Sequence, residues 1–172
     1  ETAADAPTGN WEAMGQVGGA RFTKTLKVET VMPNRLRIDL DLGDKPVIAS
    51  SRVQGSLDAQ WLSGATAGNL RAQVEVRLSP IATRFSRNTD YGFDDPARSF
   101  NGSPWVFEEK LHANGHADLD WDLSLPRDVP GMMNATFVTR VFERGGAFSI
   151  NLSSQTVAPF DRYVGLKLPK GD

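Results

Sequence analysis

Residues 25–42 read TLKVETVMPNRLRIDLDL, and they decide the fold. After Asn34 the stretch alternates strictly, with leucine or isoleucine at the even positions 36–42 and arginine or aspartate at the odd positions 35–41. A period of two is what a strand with one buried face requires. Because Pro33 lacks the N–H that a strand ladder uses, we expect the chain to leave one sheet before it and to begin another after it. The stretch predicts a joint between two β-modules.

Seven strand-like stretches follow Pro33, separated by turn residues. They cover residues 36–42, 51–62, 70–78, 107–111, 117–125, 136–142 and 147–156. Asn114-Gly115 and Gly145-Gly146 lie between neighbouring stretches, and the first pair favours a type I′ hairpin turn. With no convincing helical window, the pattern predicts an all-β, antiparallel, seven-stranded sandwich. We expect its core to contain Leu36, Ile38, Leu57, Trp61, Val74, Val76, Leu119, Trp121, Phe137 or Val138, and Ile150.

Residues 11–31 form a separate pattern before the joint. Two short strands are predicted around Gly18-Gly19, a hairpin dipeptide. A lone hairpin is marginal in water, so we expect it to pack on the main domain or on another molecule.

Composition excludes several classes of function. The net charge of −2 and the scattered Lys and Arg residues leave no footprint for nucleic acid or an anionic membrane. The absence of cysteine removes disulfides, thiolate nucleophiles and sulfur-bound metals. No 18-residue apolar run occurs, so we expect no direct membrane insertion. No nucleophile elbow, phosphate loop or dinucleotide fingerprint is present, and we expect no enzyme activity and no cofactor.

Several short motifs resemble the bacterial alpha-2-macroglobulin family. Residues 28–38, VETVMPNRLRI, are similar to its "VETVKPNRLKI" joint, and residues 61–70, WLSGATAGNL, to its "WLxGAxAxxL" strand and turn. Residues 91–96, YGFDDP, resemble a "YxFDDP" segment of Bacteroidetes-type members. Residues 159–172 resemble the "SPYxxYVGLKxPKGD" exit toward the next domain. In order and spacing, the motifs cover most of residues 16–172.

The resemblance implies a domain organisation and a role. Residues 1–33 would be a lead-in and the terminal hairpin of a preceding macroglobulin-like domain, 34–158 a macroglobulin-like sandwich, and 159–172 a linker. The chain would be a non-catalytic module of a protease-trapping protein, with neighbouring domains of its parent as direct partners and host or competitor proteases as partners of the parent. The family's thioester needs a cysteine, which this chain lacks. The family also implies a periplasmic or cell-surface location and a lipoprotein parent.

The alternative is an extracytoplasmic carbohydrate-binding or adhesin-type sandwich. It predicts exposed aromatic side chains along a groove, whereas a scaffold uses them in its core. Trp11, Trp61 and Trp121 fall on strand-like stretches, which favours packing.

Two groups of side chains contain residue types that bind metals. His112 and His116 flank Asn114-Gly115, so a hairpin would leave them as solvated turn residues rather than zinc ligands. Alternate residues 116–122 form an acidic stripe whose carboxylates could hold calcium. Residues i and i+2 of a strand lie about 7 Å apart, which is too far for one ion to bridge several of them easily. We therefore expect a solvated face paired with Arg35, Arg37, Arg71 or Arg77.

Residues 80–104 carry no strand pattern, and a segment of this length inside a compact domain invites a functional interpretation. Asp90, Asp94 and Asp95 lie there and are weak calcium candidates, since loop oxygens can converge on an ion. Turn capping is the stronger interpretation. The segment carries Phe85, Tyr91, Phe93 and Phe100, with Trp105 just after it, and we expect these rings to hold it against the sandwich.

Overall fold

The alternating residues after Pro33 form strand β3 (Leu36–Asp41) in a computed structural model of the chain, with Leu36 and Ile38 buried. The structure describes residues 9–28, 33–43, 47–48, 52–123 and 128–167. The chain divides into two units, Glu1–Pro33 and Asn34–Asp172. The described residues contain no helix, and therefore none long and apolar enough to cross a membrane.

The first unit contains an antiparallel hairpin of β1 (Gly9–Val17) and β2 (Ala20–Val28). Gly18 and Gly19 connect them with φ values of +56° and +85°. Positive φ at both central residues is what a type I′ turn requires, and glycine reaches it without steric cost. The predicted hairpin is confirmed.

The second unit is a sandwich of two sheets. Its remaining strands are β4 (Val47–Ile48), β5 (Arg52–Trp61), β6 (Arg71–Pro80), β7 (Trp105–Lys110), β8 (His116–Asp122), β9 (Met133–Phe142) and β10 (Phe148–Ala158). One sheet has the order β4-β10-β9-β6-β7 and the other β3-β5-β8. Described neighbours pair antiparallel, apart from a two-residue parallel contact between β4 and β10. The predicted antiparallel sandwich is confirmed, with seven described strands of six or more residues plus β4.

The core lies between the two sheets and follows the alternation of their strands. On β6, Ala72, Val74 and Val76 are fully buried. On β8, Trp121 is buried and its ring stacks on Phe107 at a centroid distance of 4.5 Å. The predicted core residues Leu36, Ile38, Leu57, Val74, Val76, Leu119, Trp121 and Phe137 are confirmed, and Trp61 packs against them partly buried.

Ile150 is the exception, and the prediction that it lies in the core is wrong. It lies opposite Arg140 of β9 and is 37% exposed. Phe148 and Leu152, on the same face of β10, are 47% and 67% exposed. The inward face of β10 instead carries Ser149, which is buried. Because the outward series is more apolar than the inward one, hydrophobic alternation assigns this strand to the wrong face.

The hairpin predicted at Asn114-Gly115 is also wrong. The preceding strand, β7, pairs with β6 in one sheet, whereas β8 pairs with β5 in the other. His112 N–H donates to the His116 carbonyl at 2.8 Å, and of the turn residues only Gly115 has a positive φ, +82°. The turn reverses the chain and carries it between the sheets. At Gly145-Gly146, by contrast, the two flanking strands β9 and β10 do form an antiparallel hairpin.

Candidate functional site: the two ends of the sandwich

The N-terminal joint is bonded to the edge of β10 through one side chain. Asn34 Nδ2 donates to the Ile150 carbonyl at 2.8 Å, and Ile150 N–H donates to Asn34 Oδ1 at 2.9 Å. The carboxamide thus makes the two bonds that a residue of a neighbouring strand would make. Since unpaired edge groups invite pairing with other chains, Asn34 protects this part of β10 while it fixes the start of the domain.

Ser149, the residue of β10 before Ile150, binds the same joint from the core side. The Ser149 hydroxyl is buried, and it accepts the N–H groups of Arg35 and Leu36, both at 3.0 Å. A hydroxyl oxygen has two lone pairs, so it satisfies both donors at once. These two accepted hydrogen bonds explain why a polar residue, Ser149, lies inside the core.

Arg35 connects the joint to two further elements. Its Nη1 lies 2.8 Å from Oε2 of Glu143, the residue just after β9, and its guanidinium carbon lies 5.3 Å from the Trp61 ring centroid. Leu62 N–H also donates to the Arg35 carbonyl at 3.0 Å. The joint therefore contacts both sheets of the sandwich.

The long loop, residues 81–104, is hydrogen-bonded to residues 130–132. Met132 N–H donates to Thr83 Oγ1 at 2.8 Å, and Ile81 N–H donates to the Met132 carbonyl at 3.0 Å. Asp95 N–H donates to the Pro130 carbonyl at 2.8 Å. Thr83 is 3% exposed, so the loop has a buried polar anchor.

Aromatic rings join this loop to the exit segment, residues 159–167. Phe85 lies edge-on to Phe93 at 4.7 Å and to Tyr163 at 5.4 Å, and Tyr163 lies 5.6 Å from Phe160. Burial raises the pKa of the Tyr163 phenol. Tyr91 lies at the rim, 6.3 Å from Phe93 and 43% exposed. Most of the loop aromatics are partly buried, as predicted, and Tyr91 is the most exposed of them.

The three weak calcium candidates have separate partners. Asp94 accepts Thr83 N–H at 3.0 and 3.2 Å, Asp95 accepts Ala97 N–H at 3.0 Å, and Asp90 pairs with Lys167 at 3.1 Å. No group of three His, Cys, Asp or Glu side chains suited to a metal occurs among the described residues. Asp95 bonds to the main-chain N–H two residues on, as a turn-capping residue does, whereas Asp94 bonds to the N–H of Thr83 eleven positions earlier and so connects two parts of the loop.

The exposed face of the three-stranded sheet is acidic. Asp39 lies opposite Asp58, and Asp58 lies opposite His116. His116 Nδ1 is 2.9 Å from Asp58 Oδ1, and its Nε2 is 3.3 Å from Asp118 Oδ1. These carboxylates, Asp58 first and then Asp118, raise the pKa of His116. His116 is thus the first residue of β8 and not the turn residue that was predicted, with its side chain 31% exposed, whereas His112 is exposed.

Among the described residues, the arginine that pairs with this face is not one of the four predicted, of which only Arg37 lies in this sheet, on β3. Arg52 Nε lies 2.7 Å from Asp120 Oδ1. Arg71 and Arg77 belong to β6 in the other sheet, and Arg35 pairs with Glu143. Arg52 is the first residue of β5 and lies before the clear alternation of residues 57–61, so the sequence did not identify it.

The tryptophans bear on the sugar-binding alternative. Trp121 is buried, and Trp61 and Trp105 pack against the core partly buried. Trp121 Nε1 donates to Glu109 Oε1 at 2.8 Å, which satisfies its polar group. Trp11 belongs to the first unit. In the second unit the tryptophans are packing residues rather than a platform.

Comparison with known families and relatives gives one consistent result. Residues 34–159 match the family model described as the bacterial alpha-2-macroglobulin MG5 domain. Alpha-2-macroglobulin of Xylella fastidiosa (strain Temecula1) is 24% identical over 170 residues, and that of Escherichia coli (strain K12) is 21% identical over 169. Each alignment covers 95% of this chain and 10% of the relative, so the chain spans about a tenth of the curated relatives' length.

Solved structures have the same fold. The native conformation of E. coli alpha-2-macroglobulin matches with a TM-score of 0.69 at 21% identity, covering 94% of this chain and 10% of that one. Salmonella alpha-2-macroglobulin reacted with methylamine matches with a TM-score of 0.66 at 21% identity, with the same coverage. The matches are to a macroglobulin domain and not to a catalytic family. The resemblance of residues 91–96 to Bacteroidetes-type members stays a prediction.

Proposed function

Because this chain belongs to the bacterial alpha-2-macroglobulin MG5 domain family, we propose that it is a non-catalytic structural module of a protease-trapping protein. In this role the sandwich holds neighbouring domains of a longer chain in fixed positions, and capture of a protease takes place elsewhere. The chain has no cysteine and so supplies no thioester. No cofactor or metal enters the proposal.

The observation that carries the proposal is that both ends of the sandwich are bonded to its body. Asn34 and the following residues are bonded to β10 at the N-terminal end. Leu166 and Lys167 are bonded to the long loop at the C-terminal end. A module that positions its neighbours needs ends of defined direction.

The first unit fits a domain that continues beyond it. One face of the hairpin carries Trp11, Val17 and Phe22, which are 48%, 73% and 62% exposed. A two-stranded hairpin with an apolar face needs a partner for stability. We assign residues 1–33 to a lead-in and the terminal hairpin of a preceding macroglobulin-like domain, 34–158 to the sandwich and 159–172 to a linker toward the next domain.

The wider setting follows from the family. We propose that the direct partners are neighbouring domains of the parent and that proteases of a host or competitor are met by the parent as a whole. We also propose an extracytoplasmic location, in the periplasm or at the cell surface, with a lipoprotein parent. The net charge of −2 supports the absence of a nucleic-acid partner.

The proposal is tested by incubating trypsin with a molar excess of this chain. Activity is then measured on a protein substrate and on a small chromogenic substrate, with a stoichiometric trypsin inhibitor as positive control. We expect both activities to be retained, because the chain has neither a trap nor a thioester of its own. Stoichiometric loss of activity toward the protein substrate would contradict the scaffold role.

A further inference from the structure

We propose that the long loop, residues 81–104, is a clamp for the exit segment, residues 159–167, and that this clamp opens from its charged outer end. Loops of this length without secondary structure are uncommon in compact domains and are usually either functional or linker segments. Three successive contacts join this loop to the exit segment, and they differ in burial and in chemistry.

The innermost contact is aromatic. Gly165 lies against the face of Phe93, so that a Cβ at position 165 would fall 2.5, 2.9 and 3.0 Å from three ring carbons. Any side chain there must displace the ring. Phe93 in turn packs on Phe85, which packs on Tyr163 of the exit segment. Glycine at position 165 is therefore required for close approach rather than for backbone freedom.

The middle contact is an isolated antiparallel bridge. Gly92 N–H donates to the Leu166 carbonyl at 2.9 Å, and Leu166 N–H donates to the Gly92 carbonyl at 2.8 Å. These two reciprocal bonds fix the direction of the exit segment relative to the sandwich. A bridge without flanking ladder bonds has little cooperative support, so it depends on the contacts on either side.

The outermost contact is charged and exposed. Lys167 Nζ lies 3.1 Å from Asp90 Oδ2 and 5.9 Å from the Tyr91 ring centroid. The two ion-pair side chains are 54% and 69% exposed, and exposed pairs of this kind are weak and sensitive to salt. Opening therefore begins at Lys167 and reaches the aromatic contact last. The proposed function enters only through the name of the exit segment, which assumes that another domain follows it.

The test is amide hydrogen exchange of the whole chain, followed by NMR at Gly92 and Leu166. In the unmodified chain we expect both amides to be protected and their exchange to accelerate with salt. Gly165→Ala should accelerate both by about tenfold or more, while amides of the central strands β6 and β9 keep their rates. Gly145→Ala is the matched control, because a Cβ at Gly145 meets nothing within 4 Å.

Asp90→Asn provides a second variant that does not touch the packing. It should accelerate the Gly92 and Leu166 amides by a few-fold, whereas Asp120→Asn, which removes a comparable exposed ion pair on β8, should leave them unchanged. Two results would overturn the clamp: unprotected amides at Gly92 and Leu166 in the unmodified chain, or equal acceleration throughout the sandwich in Gly165→Ala. Trypsin inhibition by the chain would contradict the scaffold role without affecting either result.

Discussion

The carboxamide of Asn34 pairs with both main-chain groups of Ile150, donating at 2.8 Å and accepting at 2.9 Å across 116 positions of sequence. Asn34 is the first residue of the second unit and of the family match. The bond pair therefore ties the boundary of the domain to the exposed edge of β10. A structural module is expected to fix its boundary in this way.

Asn34→Ala should lower the free energy of unfolding by about 1 kcal/mol, since two solvent-accessible hydrogen bonds are lost and water replaces part of them. A urea melt of the chain measures the change. Asn101→Ala is the control, because Asn101 is exposed and has no side-chain hydrogen bond among the described residues. Equal effects of the two substitutions would mean that the Asn34 pairing does not stabilise the domain.

Trp121→Ala should cost roughly 3–5 kcal/mol, the range for large aromatic side chains in a core. Trp121 is 5% exposed, stacks on Phe107 and donates to Glu109. Ile150→Ala should cost about 1 kcal/mol or less, because this side chain lies on the outer face. The two denaturant melts together test the assignment of faces, and a larger loss for Ile150 than for Trp121 would reverse it.

The free energy of unfolding should fall as the pH rises through neutrality, because His116 then loses the proton that its carboxylate neighbours stabilise. The neighbouring Asp58 and Asp118 raise the pKa of His116 in the folded state. The stability that protonated His116 contributes is therefore complete below the ordinary histidine pKa of about 6.5. It is lost as the pH rises through the pKa of His116 in the folded state. Asp58→Asn should lower the His116 pKa and flatten the dependence, which NMR titration and urea midpoints at several pH values measure.

His112→Asn is the control for this titration. His112 makes no contact with Asp58, so its substitution should leave the pH dependence unchanged. A folded-state His116 pKa at or below the ordinary value would contradict the assignment.

The fold was largely predictable from the sequence because the strands around the core alternate cleanly. Residues 36–42 and 70–78 carry apolar side chains at every second position, and their faces came out as predicted. β10 misled the same reasoning because Ser149 faces the core in order to accept two N–H groups. Periodicity records burial, and it cannot anticipate a hydrogen bond made across more than a hundred residues.

The ends of the sandwich were less predictable for the same reason. The division between the two units falls after Pro33, but nothing local in the sequence shows that Asn34 binds Ile150. Asn114-Gly115 predicted a reversal of the chain, which occurs, but a local turn does not determine whether the next strand joins the same sheet. The contact of Gly92 with Leu166 has no sequence signal beyond two small residues in loop-like stretches.

Limited trypsin digestion with mass-spectrometric mapping tests the central claim most directly. A bait segment must be mobile to enter a protease, whereas a structural module must keep the long loop in place. Arg84, Arg87 and Arg98 are exposed trypsin sites within that loop, and Asp95 holds Arg98 at 3.0 Å. We predict that all three resist brief digestion that cuts an unfolded control chain. Rapid, selective cleavage at Arg84 or Arg87, with the rest of residues 34–167 intact, would contradict the structural role and make this loop a bait.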